Sequence, residues 1–268
     1  ETDRLVPAAW GTVVAALTLA CGPTGLAAVG VFLISLPWVL GTIGRRKATL
    51  ANVAPFMGAG MAVMAPVFKD QTLATVLEAT AVRSEVGPAM SWFEEWSRYS
   101  VLFEQTVDGS LARRFPMFML LMCIGLTLWW FARGGERTKT AQRMMLIIGF
   151  STFFLMFTPT KWTHHFGIYA GLGAAIAAYG SVVLSRIALQ SKRNRSFATA
   201  AVLFLLALTL AGWNGWWYVS SYAVPWWDRT PQLKAVEFNT IVLAIALVVF
   251  VVGVVQSMRP PKPVDASR

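Results

Sequence analysis

Ten residues, Thr158-Pro-Thr-Lys-Trp-Thr-His-His-Phe-Gly167, hold both histidines of the chain beside a lysine and a tryptophan. Lys161 could neutralise a phosphate as a point charge. His164 and His165 could hydrogen-bond a sugar or carry a proton, and Trp162 adds an indole. Set between two long apolar runs, such a group suits an anionic ligand with a greasy tail. Interfacial anchoring accounts for Trp162 and Lys161. It does not account for two consecutive histidines, which favours a functional turn. A metal centre needs three or four ligands. Two histidines with no Cys or carboxylate close in sequence fall short of that.

Three other stretches could carry chemistry. Asp108-Gly-Ser-Leu-Ala-Arg-Arg114 places two arginines directly before an apolar run. Arg113 and Arg114 read either as a bidentate phosphate grip or as snorkelling anchors. Glu94 and Glu95 are adjacent, so on a helix they point in different directions, and the pair reads as a solvated face. Gly212 to Trp227 is crowded with aromatic rings. It reads as an aromatic belt whose faces could also stack on sugar rings or pack on a polyprenyl tail. Cys21 and Cys123 lack any Cys-x-x-Cys spacing and read as small buried hydrophobes.

The elements that must position these residues are membrane helices. Hydrophobic residues make up 56% of the chain and charged ones 13%, against about a quarter charged in a soluble domain. The apolar runs predict an all-α, multi-spanning protein of about eight helices: 6–20, 25–43, 51–68, 116–132, 144–158, 167–185, 197–213 and 238–257. With both termini on one side, about two thirds of the 23 lysines and arginines fall on that side. The positive-inside rule makes it cytoplasmic. The net charge of +10 then follows from short basic loops facing anionic lipid, and nucleic acid is not needed to explain it.

The long loops, 69–115, 159–166 and 214–237, face outward, and most tryptophans lie in them or at their edges. Within the first, Asp70 opens a helical pattern with Leu73, Val76 and Leu77 on one face. Trp92, Trp96, Tyr99 and Phe103 predict one amphipathic helix, serving as a lid or collar or as a substrate guide. Residues 1–258 thus read as a transmembrane bundle with an outer amphipathic loop at 69–115. Residues 259–268, with Pro-Pro-Lys-Pro, read as a polar tail or linker. The chain begins at Glu1 without a secretory signal pattern, which reads as part of a longer polypeptide.

Four stretches resemble, in order, motifs of the mycobacterial-type arabinosyltransferases, the targets of ethambutol. They are Phe68-Lys-Asp-Gln-Thr-Leu-Ala74, Asp108 to Phe115, Thr158 to Gly167, and Asn214-Gly-Trp-Trp-Tyr-Val219 followed by Val224-Pro-Trp226. The resemblance covers about residues 45–230 and is to the later half of that family's membrane domain. It implies a GT-C-type glycosyltransferase in the plasma membrane with its site facing outward. The implied reaction moves D-arabinofuranose from decaprenyl-phosphoryl arabinose, a polyprenyl-phosphate sugar, to an arabinan or galactan acceptor of the cell wall. It makes Lys161, Trp162, His164 and His165 candidates for the donor or inhibitor pocket, with His165 the first choice of the two histidines, and it places Asp70, Arg113 and Arg114 at matched positions. It also admits a divalent cation, and a dimer with itself or with a paralogue. The family's acidic motif, Asp-Asp followed by Gly-Tyr, has no counterpart here. No catalytic residue is therefore expected within this chain, and no activity of the chain alone. A donor-binding scaffold and, less well, a transporter remain as alternatives.

Overall fold

The computed structural model describes residues 4–46, 49–87, 89–216 and 222–258. The tail expected at 259–268 and part of the aromatic loop, residues 217–221, lie outside the described residues. The fold is helical, as apolar runs in lipid require: the backbone there must satisfy its own hydrogen bonds. The chain divides into two compact units, residues 1–97 with 139–169, and residues 98–138 with 170–268.

In the first unit, α1 (Val6–Ala20) ends where Gly22-Pro23 forces a short 3₁₀ turn, and α2 (Ala27–Gly44) follows. Next come α3 (Thr49–Ala62), α4 (Met64–Val67) and α5 (Leu73–Val86). A reciprocal pair of hydrogen bonds between Thr72 and Thr75 caps α5. The pattern predicted from Asp70 therefore starts three residues later, and Asp70 lies exposed in the bend before it. The expected single helix over Trp92–Phe103 is instead three short pieces: a 3₁₀ turn Trp92–Glu94, α6 (Trp96–Ser100), and a second 3₁₀ turn Val101–Phe103. Bulky aromatics lose χ1 freedom in a helix and weaken it. Ser91 starts the run, with its N–H donating to Glu94 Oε2 at 2.7 Å. Trp92, Trp96 and Phe103 are exposed.

The second unit is built on α7 (Leu111–Ala132), and the first is completed by α8 (Lys139–Leu155). Ser151 Oγ of α8 donates to Ala27 O of α2 at 3.3 Å. The second unit continues with α9 (Ala170–Leu189), α10 (Lys192–Leu210) and, after the aromatic loop, α11 (Phe238–Met258). Helices touch here at glycines. A Cβ on Gly180 of α9 would lie 2.8 Å from Cys123 Sγ of α7, and one on Gly253 of α11 would lie 2.9 Å from Phe197 of α10. Such close approach is how helices associate when lipid removes the hydrophobic drive. Cys123 is buried as expected, whereas Cys21 is exposed at the end of α1; both are free thiols.

All eight expected segments are helical. Five stretches are long and apolar enough to cross a membrane by themselves: Pro23–Gly44, Leu50–Val67, Leu111–Ala132, Thr163–Leu189 and Phe238–Met258. The remaining three expected spans have evident reasons to fall short. α1 is cut to 15 residues by Gly22-Pro23. Both α8 and α10 begin with basic residues, Lys139 and Arg143, and Lys192, Arg193 and Arg195. In α11 only Ala246 and Gly253 are buried, so its remaining apolar surface is the kind that lipid covers.

A small hairpin, β1 (Gln232–Leu233) and β2 (Val236–Glu237), was not expected from the sequence. Its two-residue turn, Lys234-Ala235, has φ of 49° and 64°. Turns of this kind favour Asn-Gly because a Cβ costs about 1 kcal/mol or more in the left-handed region. Ala235→Gly therefore raises stability by about 1 kcal/mol. Thermal unfolding in detergent measures this, and a midpoint at or below the wild-type value contradicts it.

Candidate functional site

The histidine turn follows α8 and is fastened at its start. Thr158 Oγ1 donates to Leu155 O at 2.8 Å, and Pro159 O accepts the Met90 N–H at 2.7 Å. Residues Thr163–Tyr169 form a seven-residue 3₁₀ helix. With three residues per turn, positions i, i+3 and i+6 share a face. Thr163, Phe166 and Tyr169 are accordingly all buried, and the Tyr169 hydroxyl donates to Thr152 Oγ1 of α8 at 2.9 Å. His164 is left exposed and His165 half-buried. Their rings meet edge to face at 4.4 Å between centroids, and the Trp162 ring lies nearly parallel to His164 at 6.4 Å. Trp162 is 38% exposed. The turn thus presents an indole and two imidazoles as one aromatic surface.

Lys161 is placed differently from the expected phosphate ligand. Its side chain is 2% exposed and lies 3.2 Å from Glu95 Oε2, itself 8% exposed. Its ammonium also donates to Met156 O at 2.5 Å and Thr158 O at 3.0 Å. An ammonium has three N–H donors, and three partners inside the first unit take them. The expected solvated face is not found: Glu94 is half-buried and accepts the Ser91 N–H, while Glu95 is buried as the counter-ion of Lys161. The signal available was the divergence of adjacent side chains on a helix. The partner, far along the chain, was not visible.

In the second unit the two arginines part company. Arg113 pairs with Asp108. Arg114 is buried at 3% exposure and donates only to main-chain oxygens: Gly109 O at 2.7 Å, Glu104 O at 2.8 Å and Leu208 O at 3.0 Å. The space around it is tight, since a Cβ on Gly212 would lie 2.8 Å from Arg114 Nε. The Leu111 N–H donates to Trp213 O at 2.8 Å, so the Asp108–Arg114 stretch and the start of the aromatic loop are brought together. For Arg114 the phosphate grip gives way to a structural clamp, because its guanidinium already serves three carbonyls. α7 also begins at Leu111, five residues before the expected boundary, with Ser110 as its N-cap residue. Lys161, Trp162, His164, His165 and Asp70 lie in the first unit, and Arg113 and Arg114 in the second.

A family model described as mycobacterial cell wall arabinan synthesis protein matches residues 1–259. The chain belongs to this family. It is 44% identical over 250 residues to probable arabinosyltransferase B of Mycobacterium tuberculosis strain H37Rv, covering 91% of this chain and 23% of that protein. It is 41% identical over 259 residues to probable arabinosyltransferase C of Mycolicibacterium smegmatis, covering 94% and 24%. The cryo-EM structure of arabinosyltransferase EmbB from Mycobacterium smegmatis is similar with a TM-score of 0.74 at 35% identity, over 95% of this chain and 23% of that one. The chain therefore spans about a quarter of the length of the relatives it matches. Membership of the arabinan-synthesis family bears out the resemblance read from the four motifs, and with it the multi-pass membrane fold. Among the described residues no three of His, Cys, Asp and Glu stand close enough to hold a metal ion. The donors here do not fit the divalent cation that the resemblance admits, and no step below runs through one.

Proposed function

We propose that this chain forms the donor-side part of a membrane arabinosyltransferase of the GT-C type. The reaction moves D-arabinofuranose from decaprenyl-phosphoryl arabinose to cell-wall arabinan at the outer face of the plasma membrane. Family membership supports the reaction class. The observation that carries the site is the pair of imidazoles on a turn anchored by a buried lysine. The bias of basic residues toward the opposite loops supports an outward-facing turn. Residues 1–258 are then a membrane domain, with 69–115 along its outer surface.

In the transfer, an acceptor hydroxyl oxygen bonds to the anomeric carbon as the bond from that carbon to the phosphate oxygen breaks. The lipid phosphate leaves with the electron pair, and the hydroxyl proton passes to a carboxylate base. His165 and His164 donate N–H groups to the phosphate oxygens as negative charge gathers there. Trp162 packs against the donor at the lipid boundary. The family's Asp-Asp motif has no counterpart in this sequence, so the base is expected from an acidic residue outside this chain. The lack of any Asp-Asp in the sequence favours a second reading of the chain by itself, a lipid-phosphate-binding scaffold without transfer.

The test is His165→Ala in the full-length enzyme, with arabinose transfer from the lipid donor measured. Loss of a donor aimed at the leaving group lowers kcat by roughly 100-fold. Near-normal kcat and KM remove His165 from the site.

A further inference from the structure

The loop between α10 and α11 contains a cleft that the histidine turn does not supply. It lies wholly in the second unit and has a volume of about 530 Å³, with Trp226, Trp227, Asp228, Arg229, Gln232 and Lys234 in its wall. An adjoining cleft of about 320 Å³ shares Asp228, Arg229 and Gln232 and reaches Glu237. Volumes of this order fall within the range of small-ligand sites.

The frame is fixed before any ligand arrives. Trp226 sits at φ 58°, a left-handed conformation that is strained for a bulky residue. Its indole N–H donates to Gln232 O at 3.0 Å, and its ring packs edge-on against Phe238. Asn214 holds the segment from the other side, its N–H donating to Trp226 O at 2.9 Å and its carboxamide to Pro225 O at 3.0 Å. Arg229 grips Asp228 through two hydrogen bonds of 2.9 and 2.8 Å, yet their side chains remain 58% and 35% exposed. That hydrogen bonding holds the Asp228 carboxyl below the usual carboxylate range, so it stays an acceptor at neutral pH.

Charge selects the ligand class. Asp228 and Glu237 balance Arg229 and Lys234, so the walls carry no net positive charge to draw in a phosphate. What remains is a carboxylate that accepts hydrogen bonds from hydroxyls, a guanidinium and a carboxamide that donate, and the Trp227 indole, 48% exposed, as a flat apolar face. Those are the contacts of an uncharged polyhydroxylated ring.

We propose that the Trp227–Asp228–Arg229 cleft is a binding subsite for the neutral acceptor oligosaccharide, and this rests on the arabinosyl-transfer reading above. The probe is a synthetic arabinofuranosyl trisaccharide without phosphate, titrated by calorimetry into the full-length protein in detergent micelles. Trp227→Ala and Asp228→Asn each weaken binding by roughly tenfold or more. Trp227→Phe keeps a ring and binds within a few-fold of wild type. In transfer assays the acceptor KM rises in step while the donor KM does not move. Absence of binding by wild type, or wild-type affinity in both Trp227→Ala and Asp228→Asn, overturns the proposal. Two failures are distinguishable. Transfer that proceeds with an unchanged acceptor KM in both variants removes the cleft and leaves the enzyme reading. Binding lost in both variants, in a wild-type protein that transfers no arabinose, keeps the saccharide site and removes the enzyme reading.

Discussion

Replacing Lys161 with Ala lowers the unfolding free energy by about 3–5 kcal/mol, the usual cost of removing one partner from a buried ion pair. The magnitude comes from what is left behind rather than from the attraction lost. The Glu95 carboxylate, 8% exposed, keeps its desolvation cost without its cation. Met156 O and Thr158 O lose their ammonium donor as well, and a buried carbonyl left unmet costs about 1–3 kcal/mol. Lys161→Arg does not restore the site, because a planar fork cannot reproduce three donors converging from one nitrogen. The double variant Glu95→Leu with Lys161→Met removes both charges and recovers the part of the loss that comes from the stranded carboxylate, while Met156 O and Thr158 O stay without their donor. Denaturant unfolding in detergent measures wild type, Glu95→Leu, Lys161→Met and the double variant as one cycle, with Lys161→Ala and Lys161→Arg beside them.

The same cycle separates two roles of Lys161. As a positioning residue it holds the start of the histidine turn, and the double variant regains donor KM together with stability. As a direct phosphate ligand it is missed by the donor, and the double variant regains stability while donor KM stays raised. A Lys161→Ala protein that unfolds with wild type denies the ion pair any part in holding the turn.

The residues differ in how far the sequence betrays their positions. The helices were legible because a long apolar run in lipid has one way to satisfy its backbone. The start of α7 was not, because Arg113 and Arg114 read as the end of a loop, whereas a guanidinium can be buried if carbonyls meet its donors. The histidine turn was legible as a place, since Pro159 and Gly167 bracket it between apolar runs. Its face was not. The burial of Thr163, Phe166 and Tyr169 follows a period of three, and a reading tuned to 3.6 residues per turn passes over it. Glu95 and Lys161 illustrate the remaining gap: two charges far apart in the chain are each plausible on a surface, and only the fold shows them neutralising one another.

Arg114→Ala costs about 3 kcal/mol or more, because it strands three carbonyls at once. Gly109 O, Glu104 O and Leu208 O all accept from the one guanidinium. The last of these lies in the final turn of α10, where carbonyls have no further N–H along the helix to accept from. Arg114 thereby ties the entry of α7 to the exit of α10, at the point from which the aromatic loop departs. Gly212 closes in on the side chain, where a Cβ would lie 2.8 Å from Arg114 Nε. Arg114→Lys recovers only part of the loss, because one nitrogen cannot reach three oxygens spread around a planar fork. Arg113→Ala, by contrast, breaks a less deeply buried pair with Asp108, 17% and 10% exposed, and costs less, about 1–3 kcal/mol. A neighbouring arginine thus serves as the control for charge. Equal losses in the two alanine variants contradict the clamp, as does an Arg114→Lys protein as stable as wild type.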